Sequence, residues 1–266
     1  MDSMKILVNG CSYTKGSCHT SNVHPQETYS HILAGRLAGV GQKYTLQDIS
    51  LNGSCNSRIV RDITNQILKQ TKPFNVIVIQ WTEWSRFDYP DKQGIRKKFN
   101  PVFFKHFFEE YKLATKDSDF ILKLYRGTEE QITALQKDAL IQFIVLDRFI
   151  KSISKDTIVV HVPWFPLKKE VFDGRKGIIS KMNFLVDPTI GMEKILFSHG
   201  FRHTGLPIKW SHPSVKEVDK HFGTDAHLFI AKALFRHINS GRTLQLGKDQ
   251  YEPKEESLNV YEEDWH

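Results

Sequence analysis

The sequence predicts a three-layer α/β/α domain built on a parallel β-sheet. Strand and helix patterns alternate along most of the chain, as expected when helices cross over between parallel strands. Two strand patterns, NVIVIQ at 75–80 and TIVVHV at 157–162, are almost wholly apolar and rich in β-branched residues. This composition suits strands that helices cover on both faces. With 266 residues, the chain is long enough to bury a full core.

Five strands and four helices are predicted, in alternating order. The strands are 5–9, 44–50, 75–80, 157–162 and 206–210, of which the last has the weakest pattern. The helices are 26–39, 56–69, 128–153 and 224–238, each with apolar residues repeating at helical spacing. In the third helix, Thr128 and Gln131 have the spacing of a capping box.

The predicted domain covers residues 1–240 and contains one insertion. Residues 87–127 interrupt the alternation and are rich in aromatic and basic side chains, so they are predicted to form a partly helical subdomain or lid. From 241 to 266 the chain becomes polar and then acidic, which is typical of a poorly packed tail.

Composition excludes several classes of protein. No apolar run approaches the length of a membrane span, and the first residues lack the pattern of a secretory signal. The three cysteines are expected to be free thiols, so a cytoplasmic protein without membrane partners is predicted. No phosphate-binding loop or dinucleotide fingerprint is present, and neither a cofactor nor a metal is expected.

The net charge of +7 comes from 37 basic and 30 acidic residues spread along the chain. Its densest basic patch lies at 94–106. A solvated face that attracts anionic substrates is the favoured interpretation. Nucleic-acid binding is the least favoured one, because the basic residues form one local run and the acidic tail opposes them. That run contains Arg96, Lys97, Lys98 and Lys105.

Polar residues follow three predicted strands, and parallel strands bring their carboxyl ends to one edge of a sheet. Ser12 follows the first strand in NGCSYT. Gly53 and Asn56 follow the second strand in LNGSCNSRI, where the glycine permits close backbone approach and the asparagine offers an amide donor. Aromatic rings and a guanidinium, suited to a polar organic ligand, follow the third strand. These are Trp81, Thr82, Trp84 and Arg86.

Asp219 and His221 lie just before the last predicted helix, in DKHFGTDAHLFIAKAL. A histidine oriented by an acid can act as general base toward a serine, and this position would let it reach back to Ser12. Each stretch alone is also explained by turns, helix caps or core packing of the tryptophans. The order of the stretches is more specific than any one of them.

The ordered set resembles the SGNH hydrolases, the GDSL-type esterase and lipase superfamily, and is closest in style to its phage and bacterial members. The resemblance runs from Lys5 to Ile238 and implies a flavodoxin-like sheet. It also implies Ser12 as nucleophile, His221 as base and Asp219 as its acid partner. The N–H groups of Ser12 and Gly53 would form the oxyanion hole.

The chain departs from the family pattern at the third oxyanion donor. The family places an asparagine after a glycine there, whereas this sequence reads Trp81-Thr82-Glu83. Either the Thr82 hydroxyl or the Asn56 amide would have to take its place. A second candidate base, His212 in WSHPS, lacks the upstream acid and is held in reserve.

The resemblance therefore implies a serine ester hydrolase that removes an acyl group, such as acetyl, from a sugar or small ester. Trp81, Trp84 and Arg86 are predicted to contact the substrate. The alternative is a catalytically weak or inactive module of the same fold that binds carbohydrate or belongs to a virion. The acyl group, the acceptor and the oligomeric state stay open.

Overall fold

A computed structural model describes residues 3–16, 23–39, 43–84, 86–90, 96–99, 129–204, 221–245 and 247. Six strands occur in these ranges, and four of them form one parallel sheet in the order β2-β1-β3-β6. The strands are β1 (Met4–Asn9), β2 (Tyr44–Asp48), β3 (Val76–Trp81), β4 (Phe87–Pro90), β5 (Arg96–Phe99) and β6 (Ile158–Pro163). The first four predicted strands are thus confirmed, and 206–210 lies outside the described residues.

Seven α-helices occur in the same ranges. They are α1 (Ser12–Lys15), α2 (Tyr29–Ala38), α3 (Asn56–Lys69), α4 (Glu129–Ile153), α5 (Lys176–Ile179), α6 (Met192–Ser198) and α7 (Thr224–Ser240). The four predicted helices correspond to α2, α3, α4 and α7. The sequence did not predict α1, α5 and α6, because four to seven residues are too few to show a helical period. Thr128 of the predicted capping box is not described.

Two hydrophobic clusters cover the two faces of the sheet. The first joins even-numbered residues of β1, β3 and β6, such as Val8 and Val78, to α2, α6 and α7. The second joins odd-numbered residues, such as Leu7 and Ile77, to α3 and α4. Successive strand side chains point to opposite faces, which produces this division. The predicted three-layer α/β/α class is therefore correct.

The described part of the predicted insertion is β-structure. Strands β4 and β5 pair antiparallel, with Phe87 opposite Phe99. These eight residues are strands, and the rest of the predicted insertion lies outside the described residues, so its partly helical character stays a prediction. At the start of the predicted tail, Leu244 pairs with Val186 in a parallel bridge and is thereby attached to the domain. None of the described helices is long and apolar enough to cross a membrane.

The register aligns the carboxyl ends of the four strands. The Cα of Val8 lies opposite both Asp48 and Val78, and Trp81 lies opposite Pro163. The residues that follow β1, β2, β3 and β6 therefore meet at one edge. The strand order reverses between β1 and β3, which is where ligands bind in open α/β sheets.

Candidate active site

Ser12 begins α1 immediately after the central strand β1, and it is 8% exposed. The turn between strand and helix depends on Gly10. A Cβ at this position would overlap the Thr14 hydroxyl and lie 2.6 Å from Gln80 Oε1, so any larger residue would displace the turn. The short helix then ends at Gly16, whose φ of 63° favours glycine. The backbone thus fixes Ser12 at the carboxyl edge of the sheet.

Gln80, fully buried near the end of β3, holds this turn in place. Its Oε1 accepts hydrogen bonds from the Cys11 N–H at 3.1 Å and from the Thr14 hydroxyl at 2.7 Å. Its Nε2 donates to the Trp81 carbonyl at 2.7 Å. Sequence reasoning treated Gln80 only as the end of a strand. A polar residue ending an otherwise apolar run was the available signal for its role.

His221 lies at the same edge, stacked on the residue that follows Ser12. The Tyr13 ring is sandwiched between Trp164 and His221, with centroid separations of 4.4 and 4.7 Å and interplanar angles of 18° and 29°. Burial raises the pKa of Tyr13 well above its ordinary value, so its hydroxyl stays protonated. The structure thus stacks the predicted base on Tyr13, the residue next to the predicted nucleophile.

The segment around His221 is tied to the loop after α6. The Thr204 N–H donates to the His221 carbonyl at 2.8 Å, and Phe222 pairs with His203 in an antiparallel bridge. His203 Nε2 lies 3.3 Å from a Glu193 carboxylate oxygen, so an imidazole–carboxylate pair lies beside this segment. Asp219 and His212 lie outside the described residues.

Gly53 and Asn56 lie in and just after the loop that follows β2. Gly53 has a φ of 67°, a conformation that favours glycine. Asn56 is 5% exposed and exchanges two hydrogen bonds with the backbone of Thr82. Its Nδ2 donates to the Thr82 carbonyl at 3.1 Å, and its Oδ1 accepts from the Thr82 N–H at 2.8 Å. Asn56 therefore links the polar residues that follow β2 to those that follow β3.

Thr82 is held by hydrogen bonds from two residues: Asn56 binds its backbone, and Arg86 binds its side chain. Arg86 Nη1 donates to Thr82 Oγ1 at 3.2 Å, and Arg86 Nε lies 3.2 Å from Glu83 Oε2. The Arg86 side chain is only 10% exposed. Burial lowers its pKa, but the neighbouring groups, of which the Glu83 carboxylate contributes most, together outweigh this effect and raise the pKa above the ordinary value. A permanent cation thus lies beside the Thr82 hydroxyl.

The two tryptophans after β3 differ in position. Trp81 has no exposed surface and packs in the second cluster, where its ring stacks on Phe143 at 4.2 Å. Its Nε1 donates to His161 Nδ1 at 3.1 Å. The expectation that Trp81 contacts substrate is therefore wrong, because odd-numbered residues of β3 face away from the Gln80 side. Trp84 is half-buried and meets Trp81 edge to face.

A buried chain of hydrogen bonds behind the Ser12 turn was not foreseen from the sequence. His227, on α7, accepts from the Tyr29 N–H at 3.2 Å, and the Tyr29 hydroxyl lies 2.8 Å from Thr14 Oγ1. Burial, with a smaller contribution from His221, lowers the pKa of His227 to about 4. In the sequence, only the Ala226-His227 pair of DKHFGTDAHLFIAKAL gave any indication that His227 contacts Tyr29.

No protein-family model matches the chain, and no curated protein matches it. Solved structures are similar over most of its length. A member of the lipolytic protein G-D-S-L family from Veillonella parvula gives a TM-score of 0.47 at 12% identity, over 90% of this chain and 100% of that one. The lipase/acylhydrolase from Enterococcus faecalis gives 0.45 at 10%, over 92% and 100%. A carbohydrate esterase family 2 enzyme from Corynascus thermopiles gives 0.46 at 11%, over 90% and 66%. These three proteins are named for lipolysis or ester hydrolysis.

Proposed function

We propose that this protein hydrolyses carboxylic esters, with Ser12 as the nucleophile and His221 as the general base. The observation that carries the proposal is the Tyr13 stack, which holds His221 beside the turn that presents Ser12. A serine becomes nucleophilic when an adjacent imidazole removes its proton. Asp219, two residues before His221, is the proposed orienting carboxylate.

In the proposed reaction the Ser12 oxygen attacks the ester carbonyl while His221 takes the hydroxyl proton. His221 then returns this proton to the departing alcohol. Water hydrolyses the acyl-enzyme, with His221 again as base, and releases the acid. The reaction balances with water as the only co-reactant.

The negative oxygen formed at each step needs hydrogen-bond donors in fixed positions. The Ser12 and Gly53 N–H groups are two proposed donors. For the third, the Thr82 hydroxyl is supported better than Asn56. Thr82 Oγ1 accepts from Arg86 and leaves its own hydrogen for a further acceptor, whereas the Asn56 amide is bonded to the Thr82 backbone. Thr82 has no exposed surface, so this role requires the side chains that cover it to move when substrate binds.

The proposed substrates are esters with a small acyl group, such as acetyl, on a sugar or other small polar alcohol. Trp84 and Arg86 are the proposed contacts. Arg86 has donors beside Thr82 and keeps its charge at every working pH, so it suits a polar substituent near the reacting carbonyl.

Hydrolysis of 4-nitrophenyl acetate tests the proposal. Ser12→Ala is expected to lower kcat at least a thousandfold and to abolish labelling by a fluorophosphonate. His221→Ala is expected to give a comparable loss. Ser240→Ala, which changes an exposed serine at the end of α7, is the matched control and should behave as wild type.

The binding-module alternative predicts a different pattern. Wild-type protein would neither turn over nor label, and carbohydrate binding would survive Ser12→Ala. If instead His221→Ala kept full activity and His212→Ala lost it, the base would be His212.

A further inference from the structure

Helix α4 carries a stripe of exposed residues on the side opposite its buried face. The buried residues, among them Leu140, Phe143 and Ile150, pack in the second cluster. On the other side, exposed residues recur at alternating steps of four and three positions. This set, the outer stripe of α4, consists of Ala134, Asp138, Ile141, Val145, Arg148 and Ser152.

The spacing of the outer stripe is that of a coiled-coil seam. Alternating steps of four and three residues keep side chains on the line along which two helices pack. Ile141 and Val145 lie at the middle of the stripe and are 43% and 60% exposed. One exposed apolar side chain needs no explanation, whereas two adjacent seam positions form an apolar centre that suits a second helix.

The outer stripe is complementary to a reversed copy of itself. A two-fold axis level with Phe143 places residues that are equally far from this position opposite each other. In such an antiparallel pair, Ile141 faces Val145 of the partner subunit. Asp138 faces Arg148 of the partner subunit, so opposite charges meet on both sides of the apolar centre. Each contact occurs twice, as a two-fold axis requires.

The two charges of the stripe have no ion-pair partner in their own chain among the residues that the structure describes. Asp138 and Arg148 are separated by about 15 Å along the helix, so they cannot pair with each other. A parallel helix pair would place each of them against its own copy, where like charges repel. The charges therefore favour the antiparallel arrangement.

We propose that this protein forms a symmetric dimer in which the outer stripes of two α4 helices pack antiparallel. The stripe extends over about 27 Å, so one helix pair buries a small interface and a dissociation constant in the micromolar range is expected. The dimer does not rest on the proposed ester hydrolysis, and neither Ser12 nor His221 belongs to the stripe.

Sedimentation velocity of the full chain from about 2 to 200 µM tests the dimer. Wild-type protein should change from monomer to dimer over this range. Ile141→Arg places a cation in the apolar centre and should raise the dissociation constant at least about a hundredfold. Tyr44→Arg is the matched control, since Tyr44 is 44% exposed on the edge strand β2, and it should dimerise as wild type does. Both variants should keep the circular dichroism of wild type, because both side chains are exposed.

Charge reversal tests the antiparallel pairing. Asp138→Arg and Arg148→Asp change the net charge in opposite directions, yet each puts like charges on both sides of the centre. Each should therefore weaken the dimer about tenfold. Combining the two substitutions in one chain exchanges the charges and should restore the wild-type dissociation constant.

The proposal is overturned if wild-type protein stays monomeric at the highest concentration, as expected if another part of the chain or a different protein covers the stripe. It is also overturned if Ile141→Arg dimerises as strongly as Tyr44→Arg, which would assign the dimer to another surface. A dimer that neither charge reversal weakens, or that the double substitution fails to restore, would contradict the antiparallel pairing.

Discussion

At the scale of single residues, Thr82 is proposed to replace the asparagine that donates to the oxyanion in the family pattern. Thr82→Val removes the hydroxyl and keeps the branched shape, so kcat for 4-nitrophenyl acetate is expected to fall about a hundredfold with little change in KM. Thr82→Ser keeps the hydroxyl and should retain most of the activity. Equal activity in the Val and Ser variants would remove Thr82 from the oxyanion hole.

Tyr13 is the proposed positioning residue, since its ring stacks on His221 and does not contact the reacting atoms in the proposed mechanism. Tyr13→Leu should lower kcat about tenfold to a hundredfold, because a base that is no longer stacked samples unproductive positions. Tyr13→Phe keeps the ring and should restore kcat and its pH profile. If Tyr13→Phe lost as much activity as Tyr13→Leu, the hydroxyl rather than the stack would be responsible.

At the scale of elements, Gln80 couples β3 to the turn between β1 and α1. Gln80→Leu leaves the buried Cys11 N–H and Thr14 hydroxyl without this acceptor, so the free energy of unfolding should fall by about 2–4 kcal/mol. The displaced turn should also lower kcat at least about tenfold. Urea denaturation and aryl acetate kinetics measure the two effects.

Gln136 provides the matched control for this prediction. It is also a buried glutamine, but its Oε1 accepts from the Lys168 N–H at 2.9 Å, and it makes no hydrogen bond to the Ser12 turn. Gln136→Leu is expected to lower stability while leaving kcat near that of wild type. If both variants lost activity in proportion to stability, Gln80 would have no specific role at the site.

The sequence predicts best those helices and strands whose apolar residues recur at a regular spacing. Helix α3 has the bounds that the spacing of Ile59, Ile63 and Ile67 predicts, and β3 differs from its predicted range by one residue at each end. Alternation along β3 extends to Trp81 and places it on the same face as Ile77 and Ile79, in the second cluster.

At the scale of the whole molecule, the sequence could predict which strands end at the site edge but not which side chains meet there. The Tyr13 stack joins residues more than 150 positions apart, and Gln80 reaches across from another strand. Such contacts depend on the packing of several elements and leave no local periodicity. A pocket of about 710 Å³ beside β2 has the same origin, since α2, the end of β2 and α3 each supply only part of its lining.

The stability of the whole fold should fall in mild acid because of His227. Its pKa is about 4 in the folded protein and about 6.5 when unfolded, so between these values the unfolded chain binds more protons. This contribution is fully present above pH 6.5 and is lost as the pH falls toward 4. A difference of about 2.5 units corresponds to about 3 kcal/mol.

His227→Asn tests this contribution, because the Asn Oδ1 can still accept from the Tyr29 N–H but does not titrate. The free energy of unfolding in urea should drop less between pH 7.5 and 4.5 in this variant than in wild type, by roughly 2–3 kcal/mol. His161, whose pKa burial also lowers, should produce the acid sensitivity that persists. Identical drops in wild type and variant would mean that His227 has the same pKa in the folded and unfolded states.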